Sequence, residues 1–287
     1  MNKTLKTLLL LTSSNFIISQ SQAEIVDQTQ TEVVEKVGAV KVDKNDKEAL
    51  AKQVSNPIAA LISVPFQFNF DQKLGLDDKG SRTTLNIQPV APFELNDHWN
   101  IISRTILPVI SQQDVSAPDQ NESGIGDVIQ SVFFSPIAPT ENGWIWGVGP
   151  AFLLPTGSDK MTTDKWGIGP TAVLLKQTGP WTFGGLANHI VSVAGDDDRA
   201  DVNATYIQPF LSYTTPSAVT YLLNSESTYD WEEKKWTVPL YAGISKVVKI
   251  NKQMVSISAA MRYWAVSTDS SPEGLAFRLQ AIFLFPK

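Results

Sequence analysis

Trp144-Ile145-Trp146-Gly147-Val148-Gly149-Pro150-Ala151-Phe152-Leu153-Leu154 is followed, after the polar stretch 155–164, by Lys165-Trp166-Gly167-Ile168-Gly169-Pro170-Thr171-Ala172-Val173-Leu174-Leu175. The pattern Trp-Gly-x-Gly-Pro therefore occurs twice, starting at Trp146 and again at Trp166. Each copy is an apolar run about as long as a strand that crosses a bilayer, roughly 9–11 residues. A polar loop separates them. The simplest object with this pattern is a β-hairpin in a barrel wall.

The rest of the chain obeys the same rule from Ser63 onward. Val64, Phe66, Phe68 and Phe70 alternate with Ser63, Pro65, Gln67 and Asn69, a period of two. Such runs recur at 63–71, 82–94, 98–110, 124–135, 143–155, 165–178, 181–194, 203–214, 218–230, 236–249, 253–267 and 274–286. The fold class is therefore all-β: a single antiparallel transmembrane β-barrel of about twelve strands, an even number as a single-chain bacterial barrel requires. Its connections alternate in length. Residues 72–81, 111–123, 156–164, 195–202, 231–235 and 268–273 are mostly long and polar, whereas Leu95-Asn96-Asp97, Gly179-Pro180, Thr215-Pro216-Ser217 and Ile250-Asn251-Lys252 are tight. Residues 136–142 form the one longer even-numbered connection. Long extracellular loops and short periplasmic turns give this alternation.

Composition agrees. The 287 residues are 43% hydrophobic, with mean hydropathy near zero, as expected where lipid-facing and lumen-facing side chains alternate. Residues 1–23 read as a cleaved signal peptide: Lys3 and Lys6, an apolar stretch from Leu8 to Ile18, and the small-x-small site Ser21-Gln22-Ala23. Without Lys3 and Lys6, 21 basic residues face 29 acidic ones, a net charge of −8 that argues against nucleic acid as a partner. The absence of cysteine excludes disulfides and a lipidated cysteine. The domain reading is signal peptide 1–23, leader and plug segment 24–62, and barrel 63–287. Within the second, 24–42 is polar and disordered in character, Asp46 to Ser55 carries helix formers behind an Asn45 or Asp46 cap, and Asn56-Pro57 opens a second short helix.

The eight tryptophans form two bands. Trp99, Trp144, Trp146 and Trp181 fall near the periplasmic strand ends, and Trp166, Trp231, Trp236 and Trp264 near the extracellular ends, as membrane-interface girdles would. On the last strand Phe277, Leu279, Ala281, Phe283 and Phe285 share one face, with Arg278 and Gln280 on the other. Against the barrel stand Pro65, Pro89, Pro108, Pro150, Pro170, Pro209 and Pro239, each inside a strand run and each lacking a ladder donor. Bulges or luminal water would have to compensate.

Several motifs, in order, resemble a known family. They are Asn56-Pro57-Ile58-Ala59 with Ser63-Val64-Pro65-Phe66-Gln67, Ile87-Gln88-Pro89-Val90, the run Trp99 to Val109, and Gly124-Ile125-Gly126-Asp127. After these come Ser135-Pro136, the Trp-Gly-x-Gly-Pro pair, Gly184 to His189 and Gln208-Pro209-Phe210. Together they resemble outer-membrane β-barrel transporters similar to those associated with meta-pathway degradation of phenols, some of which carry the label neuromedin-U-like. The resemblance spans residues 56–287. It implies that strand prolines are normal in such barrels. Separately, the aromatic-rich last strand resembles the signal that barrel-assembly machinery recognises in outer-membrane proteins; Pro286-Lys287 after the terminal aromatic is a small departure.

Candidates for chemistry are few. Asn188-His189-Ile190-Val191-Ser192 has the residue types of an outer-membrane hydrolase, but positions 189 and 192 face opposite sides of a strand. Asp196, Asp197, Asp198 and Asp201 offer hard oxygen ligands without the spacing of a calcium loop. No metal or other cofactor is expected. By parity Arg104, Arg262 and Arg278 point into the barrel, with Glu226, Gln88, Gln208 and Asn224, because an Arg facing the bilayer midplane would cost about 2–4 kcal/mol. These are the pore-lining candidates. They either set selectivity or neutralise one another inside a filled barrel.

The expectation is a Gram-negative outer-membrane barrel, not an enzyme, surrounded by lipid and lipopolysaccharide and passing small apolar or aromatic solutes. The alternatives are a non-conducting structural or adhesive barrel and, less favoured, a hydrolase. The glycines of the 143–178 hairpin suggest a close approach, with the N-terminal segment as one candidate.

Overall fold

The computed structural model describes residues 46–75, 78–269 and 271–286. The signal peptide 1–23 and the leader 24–42 lie outside the described residues. The described chain comprises one short helix, α1 (Lys47–Gln53), and fifteen strand segments. They are β1 (Ile62–Leu74), β2 (Gly80–Ile87), β3 (Val90–Glu94), β4 (Trp99–Gln113), β5 (Asn121–Ile125) and β6 (Val128–Pro136). Then come β7 (Trp144–Leu154), β8 (Lys165–Thr178), β9 (Trp181–Gly195), β10 (Asn203–Thr214) and β11 (Val219–Ser225). The last are β12 (Ser227–Asp230), β13 (Lys235–Ile250), β14 (Gln253–Val266) and β15 (Gly274–Phe285).

The fifteen segments make twelve passages, because three passages are each broken once: β2 from β3 at Gln88-Pro89, β5 from β6 at Gly126-Asp127, and β11 from β12 at Glu226. Every passage pairs antiparallel with its sequence neighbours. The last meets the first from Ile62 opposite Phe285 to Phe70 opposite Phe277, which closes the barrel and leaves no edge. Long connections lie at one rim and short turns at the other.

The strand prolines explain the breaks. Pro89 stands in the first break. Pro108 on β4 lies beside the second and its carbonyl accepts from Gly126 N at 2.8 Å. Pro209 and Pro239 flank the third, and on the far side of β13 its ladder with β14 shifts register between Val238 and Pro239. A missing N–H costs one ladder bond, and the neighbouring passage leaves the ladder there. The proline carbonyls remain in use: that of Pro65 accepts from Gln88 N (2.9 Å) and that of Pro89 from Thr105 N (3.1 Å).

The same physics accounts for Trp-Gly-x-Gly-Pro. Pro150 pairs with Pro170, and next to each the adjoining strand's carbonyl swings over the preceding glycine. A Cβ on Gly149 would stand 1.9 Å from Val132 O, and one on Gly169 1.7 Å from His189 O. The first glycine of the first copy meets a different neighbour, Ile58 Cδ1, at 3.2 Å from its would-be Cβ. In the second copy that place is taken by Ile190 Cγ2, at 2.7 Å.

α1 starts at Asp46, whose Oδ1 accepts from Ala49 N at 2.9 Å. At seven residues it is too short to persist alone and depends on packing. Leu50, Ala51, Val54, Ala59 and Leu61 bury against Ala218, Val247, Met254, Ile282 and Leu284, inward-facing side chains near the short-turn rim. Ile58 reaches a second cluster with Ile102, Phe133, Leu175 and Phe210. The expected second helix is absent: residues 54–61 are turns and irregular chain. Asn56 Oδ1 accepts from Ile58 N at 2.9 Å, a local bond that competes with helix extension.

Gly169→Ala should cost about 2–3 kcal/mol or prevent closure, since the new methyl overlaps backbone rather than a movable side chain. Gly185→Ala, whose nearest outside atom would be 3.6 Å away, should be close to neutral. Heat-dependent gel mobility of the two detergent-folded variants checks the contrast.

Candidate functional site

The barrel is turned inside out relative to a soluble protein. On β15, Phe277, Leu279, Phe283 and Phe285 face outward and exposed, while Arg278 and Gln280 are buried among inward groups. β1 alternates in the same way: Phe68 and Phe70 are exposed, and Gln67, Asn69 and Asp71 are buried.

Buried groups on neighbouring strands, from β1 through β15, β14 and β13 to Glu226 before β12, assemble into a network around Tyr241. Arg278 grips Glu226 with both arms, Nη1 to Oε1 at 2.9 Å and Nη2 to Oε2 at 3.2 Å. It also donates from Nε to Asn69 Oδ1 (2.7 Å) and from Nη2 to the Tyr241 hydroxyl (2.6 Å). Its guanidinium lies 4.0 Å from the Tyr241 ring centroid. Arg262 Nη1 donates to the same hydroxyl at 2.9 Å and its Nη2 pairs with Asp71. Asp71 also accepts from Trp264 Nε1 at 3.1 Å. Charge-assisted, bidentate bonds of this kind are the strong ones. Glu226 occupies the third strand break, so the irregularity made by Pro209 and Pro239 sets the carboxylate that Arg278 needs.

A second group lies on the β1–β4 side of the wall. Arg104 Nη2 donates to Gln88 Oε1 (3.0 Å), and Gln67 Oε1 collects Gln88, Asn86 and Asn69 at 3.2–3.3 Å. Gln208 accepts from Tyr206 OH at 3.0 Å. All seven candidate lumen residues are buried: Arg278, Glu226 and Arg262 in the network around Tyr241, Arg104 and Gln88 in this second group, and Gln208 on β10. Asn224 is buried two residues before Glu226. Asp71, Asn69 and Gln67 were legible from the same parity that exposes Phe68 and Phe70. Tyr241 was not, because an aromatic in a barrel strand ordinarily faces lipid.

At this level the barrel is filled. Gln67 and Gln208 are 0% exposed and Glu226 1%. A water-wide bore would wet these groups.

At the long-loop rim two carboxylates hold the loop between β7 and β8. Asp127, in the second break, accepts from Gly157 N (3.0 Å), Thr163 N (2.6 Å) and Thr163 Oγ1 (2.6 Å). Glu122 accepts from Gln112 (2.8 Å), Ser116 (2.7 Å) and Lys160 (2.7 Å). Burial would raise the Glu122 carboxyl, but the bonds from Lys160, Ser116 and Gln112 and the Lys160 charge outweigh it and hold the pKa below the ordinary value.

Trp264 departs from the expected girdle. It shares parity with Arg262 and points inward, 7% exposed, whereas Tyr263 and Met261 face out. The other seven tryptophans lie on the outward face. Trp99 stacks edge-on with Trp146 at 5.7 Å and Trp144 with Phe183 at 5.9 Å, while Trp166, Trp181, Trp231 and Trp236 are exposed. His189 faces outward, with Nδ1 2.9 Å from Thr205 Oγ1 and its ring 6.5 Å from that of Trp231. Ser192 bonds instead to Asp201 at 3.1 Å, so the two form no catalytic pair. The acidic loop also disperses. Asp201 pairs with Lys165 at 3.0 Å, and Lys165 and Ser192 hold its carboxyl below the ordinary range. Asp196 Oδ1 accepts from Asp198 N.

The family whose description reads "Putative MetA-pathway of phenol degradation" matches residues 82–280, more than half of the chain. Among solved structures the chain is similar to an outer membrane channel from Pseudomonas putida F1, with 16% identity and a TM-score of 0.62, covering 85% of this chain and 100% of that one. It is also similar to the NanC porin, with 13% identity and a TM-score of 0.45 over 77% of this chain and 98% of the other. No curated protein sequence matches.

Arg278→Met should destabilise the barrel by about 3–5 kcal/mol, because it strands the buried Glu226 carboxylate. Adding Glu226→Leu should restore much of that loss in urea titrations of the detergent-folded protein. The Glu122 anchor has the opposite of an alkaline sensitivity. Its folded pKa is depressed, so its contribution is present above the unfolded value of about 4.3 and is lost as pH falls through the lower folded value. Proteolysis within 155–164 should therefore rise in that acid window, and Glu122→Gln should remove the pH dependence.

Proposed function

The chain belongs to this phenol-degradation MetA-pathway family, and on that premise we propose that it acts as a channel in the outer membrane, passing small apolar or aromatic solutes. The observation that carries the reading is the radial inversion: an exposed apolar belt outside and a polar, charge-paired interior. Only a barrel standing in lipid gains from that arrangement, since every wall N–H and C=O can be met within the closed ladder. Lipid and lipopolysaccharide are then its surroundings, and a cleaved signal with the aromatic last strand would bring it to the barrel-assembly machinery.

A filled lumen limits how passage works. Residues 46–61 pack inside the short-turn end, and the Arg278–Tyr241–Arg262 network fills the wall side from β12 to β1. Transport on this reading requires the N-terminal segment to move, since the wall is continuous. The plug offers a natural place for such motion: its contacts are mostly aliphatic and its helix is too short to be independently stable. The same filling favours the second reading, a non-conducting structural barrel.

Planar-bilayer recording separates the two. Wild-type protein should show small, infrequent openings, and deletion of residues 24–62 should raise the conductance several-fold. If neither protein conducts while both show heat-dependent gel mobility, the channel reading is abandoned for the structural one.

A further inference from the structure

Between the plug and the wall lies a cavity of about 30 Å³, room for roughly two water molecules. Gln280 of β15 and Arg104 of β4 line it on the wall side, together with Gln88, and Asn56 and Leu61 line it on the plug side. Gln280 is only 3% exposed, and neither its Nε2 nor its Oε1 has a hydrogen-bond partner among the described residues. It sits directly opposite Gln67 in the ladder, but Gln67 Oε1 is taken by Asn69, Asn86 and Gln88. A buried amide with both ends unmet is costly and calls for an occupant that can answer both.

We propose that this cavity is a recognition site for the carboxyl head of a small organic acid. A carboxyl group has the matching pattern. As the acid it donates O–H to Gln280 Oε1 and accepts from Nε2, forming a closed two-bond pair. As the carboxylate it accepts from Nε2 alone and leaves Oε1 to a water, and it gains instead the Arg104 guanidinium, whose charge favours an anion over a neutral guest. Beside the polar Gln53, Asn56 and Ser63 the lining holds an aliphatic part, with Leu61, Ala59, Val90 and Ile282, which suits a short apolar body behind the head. In this conformation the volume admits a head of formate size. A longer acid has to displace the plug side chains Leu61 and Val54, so that binding and plug release would be the same event.

That last step rests on the channel reading, whereas occupancy of the site does not. The test is therefore binding, measured apart from conductance. Full-length protein in detergent is titrated with ¹³C-formate and with acetate, followed by saturation-transfer NMR and calorimetry, with chloride and acetamide as comparison probes. Saturable formate binding is expected. Gln280→Met, which keeps the length and removes both polar atoms, should weaken it about tenfold or more. Gln280→Glu should abolish it by charge repulsion near neutral pH. Heat-dependent gel mobility establishes that each variant is folded; should Gln280→Met fail it, Gln280→Glu and Arg104→Gln carry the same reading. The proposal is overturned if wild-type protein binds no formate, leaving water alone in the cavity. It is equally overturned if Gln280→Met binds as tightly as wild type, or if chloride binds as well as formate. Formate binding without conductance in any form would overturn the channel and leave the site standing. Conductance without binding would do the reverse.

Discussion

The seam between β1 and β15 is the interaction on which the rest depends. An open sheet of twelve passages would present two rows of unpaired N–H and C=O groups, each expensive away from water. Closure pairs them and, because side chains alternate along a strand, commits every second residue to the inside. Phe277 and Phe283 go out, and Arg278 and Gln280 go in, with no freedom to slip by one residue. A one-residue register error would place Arg278 outside and a phenylalanine against Glu226.

Given that commitment, the interior has to be solved as a polar core. Buried guanidiniums cannot go unanswered, and the network around Tyr241 shows how those of Arg262 and Arg278 are met. Glu226 and Asp71 supply charge, Asn69 a further acceptor, and the Tyr241 hydroxyl accepts from two arginines at once. The carboxylate of Glu226 is available because the strand is broken there. The prolines that weaken the ladder therefore also shape the lumen. They interrupt β-structure at the levels where the chain places Gln88, Asp127 and Glu226, which anchor respectively the Arg104 guanidinium, a rim loop and the ion pair with Arg278.

The segments at the two ends of the barrel are held by different physics. At the short-turn end the plug is held by aliphatic burial, which is non-directional and allows sliding. At the long-loop end Asp127 and Glu122 hold their loop by directed, charge-assisted bonds. A molecule built this way can loosen at one end while the other keeps its form.

Strand number, pairing direction, loop alternation and the inward parity of Arg104, Arg262 and Arg278 were all legible in the sequence, because each is a consequence of period two and of turn chemistry. The same parity could have turned Trp264 inward; its height along the strand suggested a girdle, and only its face decided otherwise. The second glycines of Trp-Gly-x-Gly-Pro were visible as a repeat, but their cause was not, since it lies in the carbonyls of Val132 and His189 on neighbouring strands. What the tertiary structure alone decided is who meets whom between strands that are not ladder neighbours. Arg278 and Glu226 are fifty-two residues apart in sequence, and Arg262 and Asp71 far further. Periodicity says which way a side chain points. Only the circumference and stagger of the closed barrel say which side chain stands opposite.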